Sequence, residues 1–207
     1  MNIKSKKGMT LVEVIATVAI MAAIMIPISL IFTTAYSNFI TESDKSTAQK
    51  SARAVLYGKG LYGNGSISYG VMGDLQRSNV GINNIKIDLL DAGNSNKGRS
   101  IAITGDDNKT KRYSFIDGIL YYEPDVSDLS KIEPKSDDNF LDEKSSNDRE
   151  VKVLDFIVEK KEKGTDIDKD PDKETYIDND LIEVYVEVEC GKSGKIALES
   201  SYRIPIE

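Results

Sequence analysis

Two kinds of hydrophobic patterning divide the chain. From Val14 to Phe32 no residue carries a charge and most are apolar. A helix over that run is about 28 Å long, close to the hydrocarbon thickness of a bilayer. Further on the apolar positions narrow to one stripe. Ala48, Ala52, Val55 and Leu56 recur at helical spacing, with Lys45, Gln49, Lys50 and Arg53 on the other faces. This predicts a second half-helix over 37–60 that lays one apolar face on a sheet and stops at Gly58 and Gly60. Pro27 lies inside the first run, where it removes one helical hydrogen bond and favours a kink or local melting.

After the helix the period changes to two. The segment 61–84 is expected as loop, since six glycines and three tyrosines interleave between Tyr57 and Gly73. Such a loop is either a plain connector, the simpler reading, or a surface that touches neighbours. Ile85, Ile87 and Leu89 alternate with Lys86 and Asp88. Ile101 and Ile103, Lys111 to Ile116, and Ile119 to Glu123 mark three more strands, and Asp117-Gly118 between the last two is a hairpin signal. Val151 to Glu159 reads as a strand with Leu154, Phe156 and Val158 on one face. Leu181 to Cys190 is the clearest strand, with Ile182, Val184, Val186, Val188 and Cys190 inward and Glu183, Tyr185, Glu187 and Glu189 outward. The turn Gly191–Gly194 leads back through Ile196, Leu198, Tyr202 and Ile204. Sequential strands joined by short turns predict antiparallel pairing over 85–207. The fold class expected is α+β: a long amino-terminal helix packed on an antiparallel sheet.

Composition narrows the function. The 207 residues include 40% hydrophobic and 29% charged side chains, with net charge −7 and neither His nor Trp. That suffices for a core and excludes wholesale disorder. An acidic surface repels nucleic acid, so general nucleic-acid binding is not expected. Acids outnumber bases 20 to 10 across residues 121–180. The single Cys190 has no partner within the chain for a disulfide, and its place on the inward face makes it a small buried apolar residue. Without His there is no His-based triad or His metal site, and no phosphate-binding loop or dinucleotide fingerprint is present. No enzymatic activity and no cofactor are therefore expected. Asp166, Asp168, Asp170 and Asp172 alternate as in a calcium loop, but Pro171 and Ile177 stand where an EF-hand needs Gly and Glu. A solvated acidic loop is the simpler reading, and calcium at Asp166, Asp168 and Asp170 the weaker one.

The amino terminus carries the most specific pattern. Met1 to Gly8 holds Lys4, Lys6 and Lys7 and no acid. Lysines before the apolar run place the leader in the cytoplasm and the remainder outside. Glu13 sits at the edge of that run between Val12 and Val14. A carboxylate there is costly in lipid and needs an offset. Cleavage after Gly8 would create an ammonium at Met9, four residues before Glu13 and on the same helix face, and the helix dipole favours the acid in its first turn. The amine of a neighbouring subunit could serve instead and would reward axial register.

The segment Lys6-Lys7-Gly8-Met9-Thr10-Leu11-Val12-Glu13-Val14-Ile15 resembles the signal of type IV prepilins and type II secretion pseudopilins. The resemblance implies that a prepilin peptidase cuts between Gly8 and Met9 and methylates the new amino terminus, with Glu13 as the assembly residue. Met9 stands where the family usually has Phe. The implied organisation is a leader over 1–8, a transmembrane and filament-core helix over 9–36, and an extracellular pilin domain over 37–207. The implied partners are other pilin subunits, the prepilin peptidase, the pilus assembly platform and the lipid bilayer. The expected life history is single-pass in the cytoplasmic membrane, then extracellular in a filament. A minor pilin is the reading favoured. A pseudopilin of a secretion or competence machine and a membrane-anchored adhesin are the alternatives. A conventional secretory signal or a plain anchor would leave Glu13 unexplained.

Overall fold

The computed structural model describes residues 9–58, 60–61, 67–78, 85–88, 96–105, 108–128, 139–141, 149–161 and 181–204. The chain divides into two compact units, Met1–Thr41 and Glu42–Glu207. Helix α1 runs unbroken from Leu11 to Tyr57 and contains Pro27. In the first unit the described part is this helix alone, and its apolar side chains from Leu11 to Phe39 are exposed.

In the second unit, strands β1 (Gly60–Leu61) and β2 (Ile67–Ser68) form a small antiparallel ladder, followed by helix α2 (Gly70–Arg77). Eight further strands follow: β3 (Ile85–Asp88), β4 (Lys97–Gly98), β5 (Ser100–Thr104), β6 (Thr110–Ile116), β7 (Ile119–Glu123), β8 (Val151–Lys161), β9 (Leu181–Cys190) and β10 (Lys195–Arg203). They make two four-stranded sheets, ordered β3-β5-β6-β7 and β10-β9-β8-β4. Every ladder is antiparallel, as expected, but the strands are divided between two sheets where the sequence suggested one.

One hydrophobic cluster unites these elements. The α1 stripe Ala48, Ala52, Val55 and Leu56 is fully buried, as its spacing predicts. So are the five inward residues of β9, Ile182 through Cys190. The β6–β7 turn follows Asp117-Gly118, with φ of 50° and 81°, the mirror-image geometry that suits strand twist. Tyr113, Tyr122 and Phe140 pack edge and face, with ring centroids 4.9–5.9 Å apart.

Three features correct the sequence reading. First, α1 ends at Tyr57, at the first of the two expected stop glycines and short of the bound at 60, because Gly58 takes a left-handed conformation and its N–H caps Ala54 O at 2.8 Å. Second, the span expected as loop holds α2. Its glycines hide it from propensity, and tertiary contacts form it: Val71, Met72 and Leu75 are buried in the core. Asp74 accepts from Lys111 Nζ at 2.9 Å and Tyr113 Oη at 2.7 Å. Burial, followed by the Asp74 charge, pushes the Tyr113 hydroxyl well above its ordinary range, so it stays a donor. Third, β8 does not keep one face. A bulge between Val153 and Asp155 switches the inward set from Val151 and Val153 to Phe156 and Val158, leaving Leu154 half-buried.

Two polar ties hold distant segments. Asp44, on α1 and fully buried, accepts from Arg149 Nη1 at 2.6 Å and from Lys192 N at 2.8 Å, so it joins the helix to the β9–β10 turn. Arg112, 2% exposed, makes a bidentate pair with Glu123 directly opposite on β7, at 2.6 and 2.9 Å. Replacing one member of a buried pair strands the other. Arg149→Met is therefore expected to destabilise the full chain in detergent by about 3 kcal/mol or more. Asp44→Asn keeps an acceptor for Lys192 N and should cost less, about 1–2 kcal/mol. Denaturant titration followed by the tyrosine circular dichroism checks the order.

The end of α1 and the start of α2 meet backbone to backbone. A Cβ on Gly70, whose φ is 69°, would lie 2.3 Å from Gly58 N and 2.6 Å from Tyr57 N. Backbone cannot yield as a flexible side chain can. Gly70→Ala should cost about 3 kcal/mol or more, whereas Gly118→Ala, with open space at its Cβ, should cost only about 1–2 kcal/mol of left-handed strain. The same titration distinguishes them.

Candidate functional site at the start of the long helix

The first turn of α1 is closed by its own side chains. Thr10 precedes the helix, and Glu13 lies three residues on. Thr10 N donates to Glu13 Oε2 at 2.8 Å, and Glu13 N donates to Thr10 Oγ1 at 3.3 Å. Thr10 Oγ1 in turn donates to Glu13 Oε2 at 3.0 Å. This is a reciprocal capping box, satisfying two backbone donors that a helix amino terminus leaves free. Val14 N to Thr10 O at 3.2 Å is the first helical bond. The negative carboxylate also lies at the positive end of the helix dipole.

The geometry adds a local partner to the expected account of Glu13. The sequence suggested an ammonium at Met9 as its partner. In the uncut chain Met9 N is an amide, and the carboxylate oxygen Oε2 is held by Thr10 instead. Among the described residues Oε1 accepts no hydrogen bond, so the second oxygen stays available to another donor. Met9 is described and exposed; Gly8 lies outside the described residues. Thr10 is the participant that the sequence reading missed. The available signal was Thr-x-x-Glu ahead of an apolar run.

Polar groups deeper in the span satisfy themselves. Thr17 Oγ1 donates to Val14 O at 2.8 Å and Glu13 O at 3.0 Å, and Thr33 Oγ1 to Leu30 O at 3.0 Å. Neither hydroxyl donor is thus left open toward an apolar surrounding. The helix is long and apolar enough to cross a membrane, and none of its apolar window is buried within the chain.

Elsewhere the chemistry is sparse. A cleft of about 470 Å³ lies beside the β6–β7 turn and the start of β8, lined by Asp117, Ile119, Asn139, Leu141, Glu150 and Lys152 among others. These residues include no nucleophile paired with a base. Among the described residues no group of three His, Cys, Asp or Glu could hold a metal ion. Asp166, Asp168 and Asp170 lie outside the described residues.

Comparison with known proteins singles out the same end of the chain. The family model for the prokaryotic N-terminal methylation motif matches residues 3–29. The chain thus carries a type IV prepilin-like signal, and the match takes in the basic segment from residue 3, Thr10, Glu13 and the apolar helix through Pro27. That signal points to a structural subunit, and with the apolar helix it supports membrane anchoring. No curated protein and no solved structure matches the chain.

The capping box has a measurable consequence. Thr10→Val removes the hydroxyl that accepts from Glu13 N and donates to Glu13 Oε2, while the bond from the backbone N–H of residue 10 can remain. Amide exchange at Glu13 and Val14 of the full chain in detergent should then quicken roughly fivefold, the factor typical of a lost amino-terminal cap.

Proposed function

We propose that this chain is the precursor of a structural subunit, a minor pilin, of a type IV pilus-like extracellular filament. A prepilin peptidase cuts between Gly8 and Met9 and methylates the new amine. The observation that carries the reading is the placement of Glu13: the acid of a matched methylation motif, in the first turn of an otherwise apolar helix, with one carboxylate oxygen occupied and one open.

Before cleavage the leader lysines stay on the cytoplasmic side and the apolar helix holds the chain in the bilayer. The capping box with Thr10 satisfies part of the carboxylate locally. Cleavage adds a positive charge at Met9, next to the cap. The open oxygen Oε1 then accepts either that amine or the amine of a neighbouring subunit. A charge pair between chains is stronger in an apolar surround than in water and weakens as the charges separate, so it favours the axial register that brings them together as the subunit leaves the membrane. The partners are other pilin subunits, the peptidase and an assembly platform. The second unit, with its acidic surface, is carried outside.

Two measurements test this. Mass spectrometry of the mature protein should find a methylated Met9 at the amino terminus. A chain that begins at Met1, or near Ser37, would contradict the proposal. Glu13→Ala should still be processed and membrane-bound, but should enter filaments at roughly a tenth of the parental level or less, the factor of one decade that a modest directional contact supplies. Parental incorporation would overturn the assembly role while leaving the processing site intact.

A further inference from the structure

The matched signal and the apolar helix support membrane anchoring by α1 but do not say how deep it sits. The uncharged stretch runs from Val14 to Thr41. At about 1.5 Å per residue that is roughly 42 Å, well beyond a hydrocarbon core of about 30 Å. Charge alone therefore allows the helix to slide by several residues. At one limit Glu13 lies at the edge of the hydrocarbon; at the other it stands roughly 12 Å outside it.

A second feature of the same helix breaks the tie. Phe32, Tyr36 and Phe39 are spaced four and three residues apart, so they lie on one face. All three are open to the surroundings, at 71, 65 and 66% exposure. The polar residues Thr33, Thr34, Ser37 and Asn38 cluster around them, whereas the preceding stretch from Val18 to Ile28 has none. Tyr36 favours the headgroup zone, where its ring face meets acyl chains and its hydroxyl meets water, and Phe32 and Phe39 flank it with apolar rings that suit the acyl side of that zone. The aromatic face also continues directly from the exposed apolar span.

The geometry points to Phe32, Tyr36 and Phe39 as an interfacial lipid-binding face that sets the depth of α1 in the outer leaflet. The inference rests on the membrane-anchoring reading and adds its register. With Tyr36 at the outer headgroups, a hydrocarbon core of about 30 Å ends near Val14, one residue after Glu13. The capping box then lies in the inner headgroup zone, where the carboxylate remains hydrated. Val12 and Tyr36, roughly 36 Å apart along the helix, occupy opposite interfaces.

The chain contains no Trp, so single-Trp variants report depth without background. Val12→Trp, Ile24→Trp and Tyr36→Trp full chains are placed in phosphatidylcholine–phosphatidylglycerol vesicles at low protein density. The acyl chains are brominated either near the headgroup or near the chain end. Val12→Trp and Tyr36→Trp should each be quenched about twice as strongly by the shallow bromines as by the deep ones, and Ile24→Trp the reverse. If Ile24→Trp is deeply quenched while Tyr36→Trp is deep too, or shielded from both lipids, the aromatic face lies in hydrocarbon, in water or against a second copy. The depth inference then fails and anchoring stands. If Ile24→Trp is quenched by neither lipid, the helix is not in the bilayer and the anchoring reading fails as well. Tyr36→Phe should leave the Val12→Trp pattern unchanged, whereas Tyr36→Ser combined with Phe39→Ser should shift it toward the deep bromines; an unchanged pattern in the double variant would also overturn the inference.

Discussion

One helix has to satisfy two surroundings. From Leu11 to Phe39 its apolar side chains are exposed, while from Asp44 to Leu56 one narrow stripe is sealed in a core. A helix satisfies its backbone internally, so it can pass between such surroundings without exposing unpaired polar groups, except at its ends. The amino-terminal end is therefore the sensitive place. There Thr10 and Glu13 close the first turn on themselves, and the acid that does so is also the one a methylation motif supplies.

The second unit meets a related difficulty by different means. Its core must receive a helix whose buried face is made largely of small residues, Ala48, Ser51 and Ala52, which gives close approach but modest apolar area. Direction and register come from polar ties. Asp44 holds the β9–β10 turn, Asp74 holds α2 to β6, and Arg112 locks β6 to β7. Desolvation offsets much of the attraction in such pairs, so their contribution lies mainly in what happens when a partner is lost.

Much of this was legible in the sequence, for identifiable reasons. The α1 stripe and the strict alternation of β9 are local patterns whose period alone decides the face. The hairpin at Asp117-Gly118 was readable because its backbone requires residues that tolerate positive φ. Helix α2 was not, since Gly70 and Gly73 argue against helix and only contacts with residues some forty positions away hold it. The bulge at Leu154 adds one residue, and nothing in the composition marks where. Nothing local marks Asp44 as buried, because its partners lie over a hundred residues away. At the functional end, Glu13 stood out as a misfit, but Thr10 was passed over because a threonine in an apolar segment draws no notice.

Cys190 closes β9 with its thiol buried, and the chain has no other. A thiol-alkylating reagent can therefore reach this protein only when the sheet around β8, β9 and β10 opens. Labelling kinetics become a stopwatch for that opening, built in without any engineering. The same clock can be run on the chain in a bilayer and on the chain in any larger assembly, so the two readings measure how much each surrounding braces the fold.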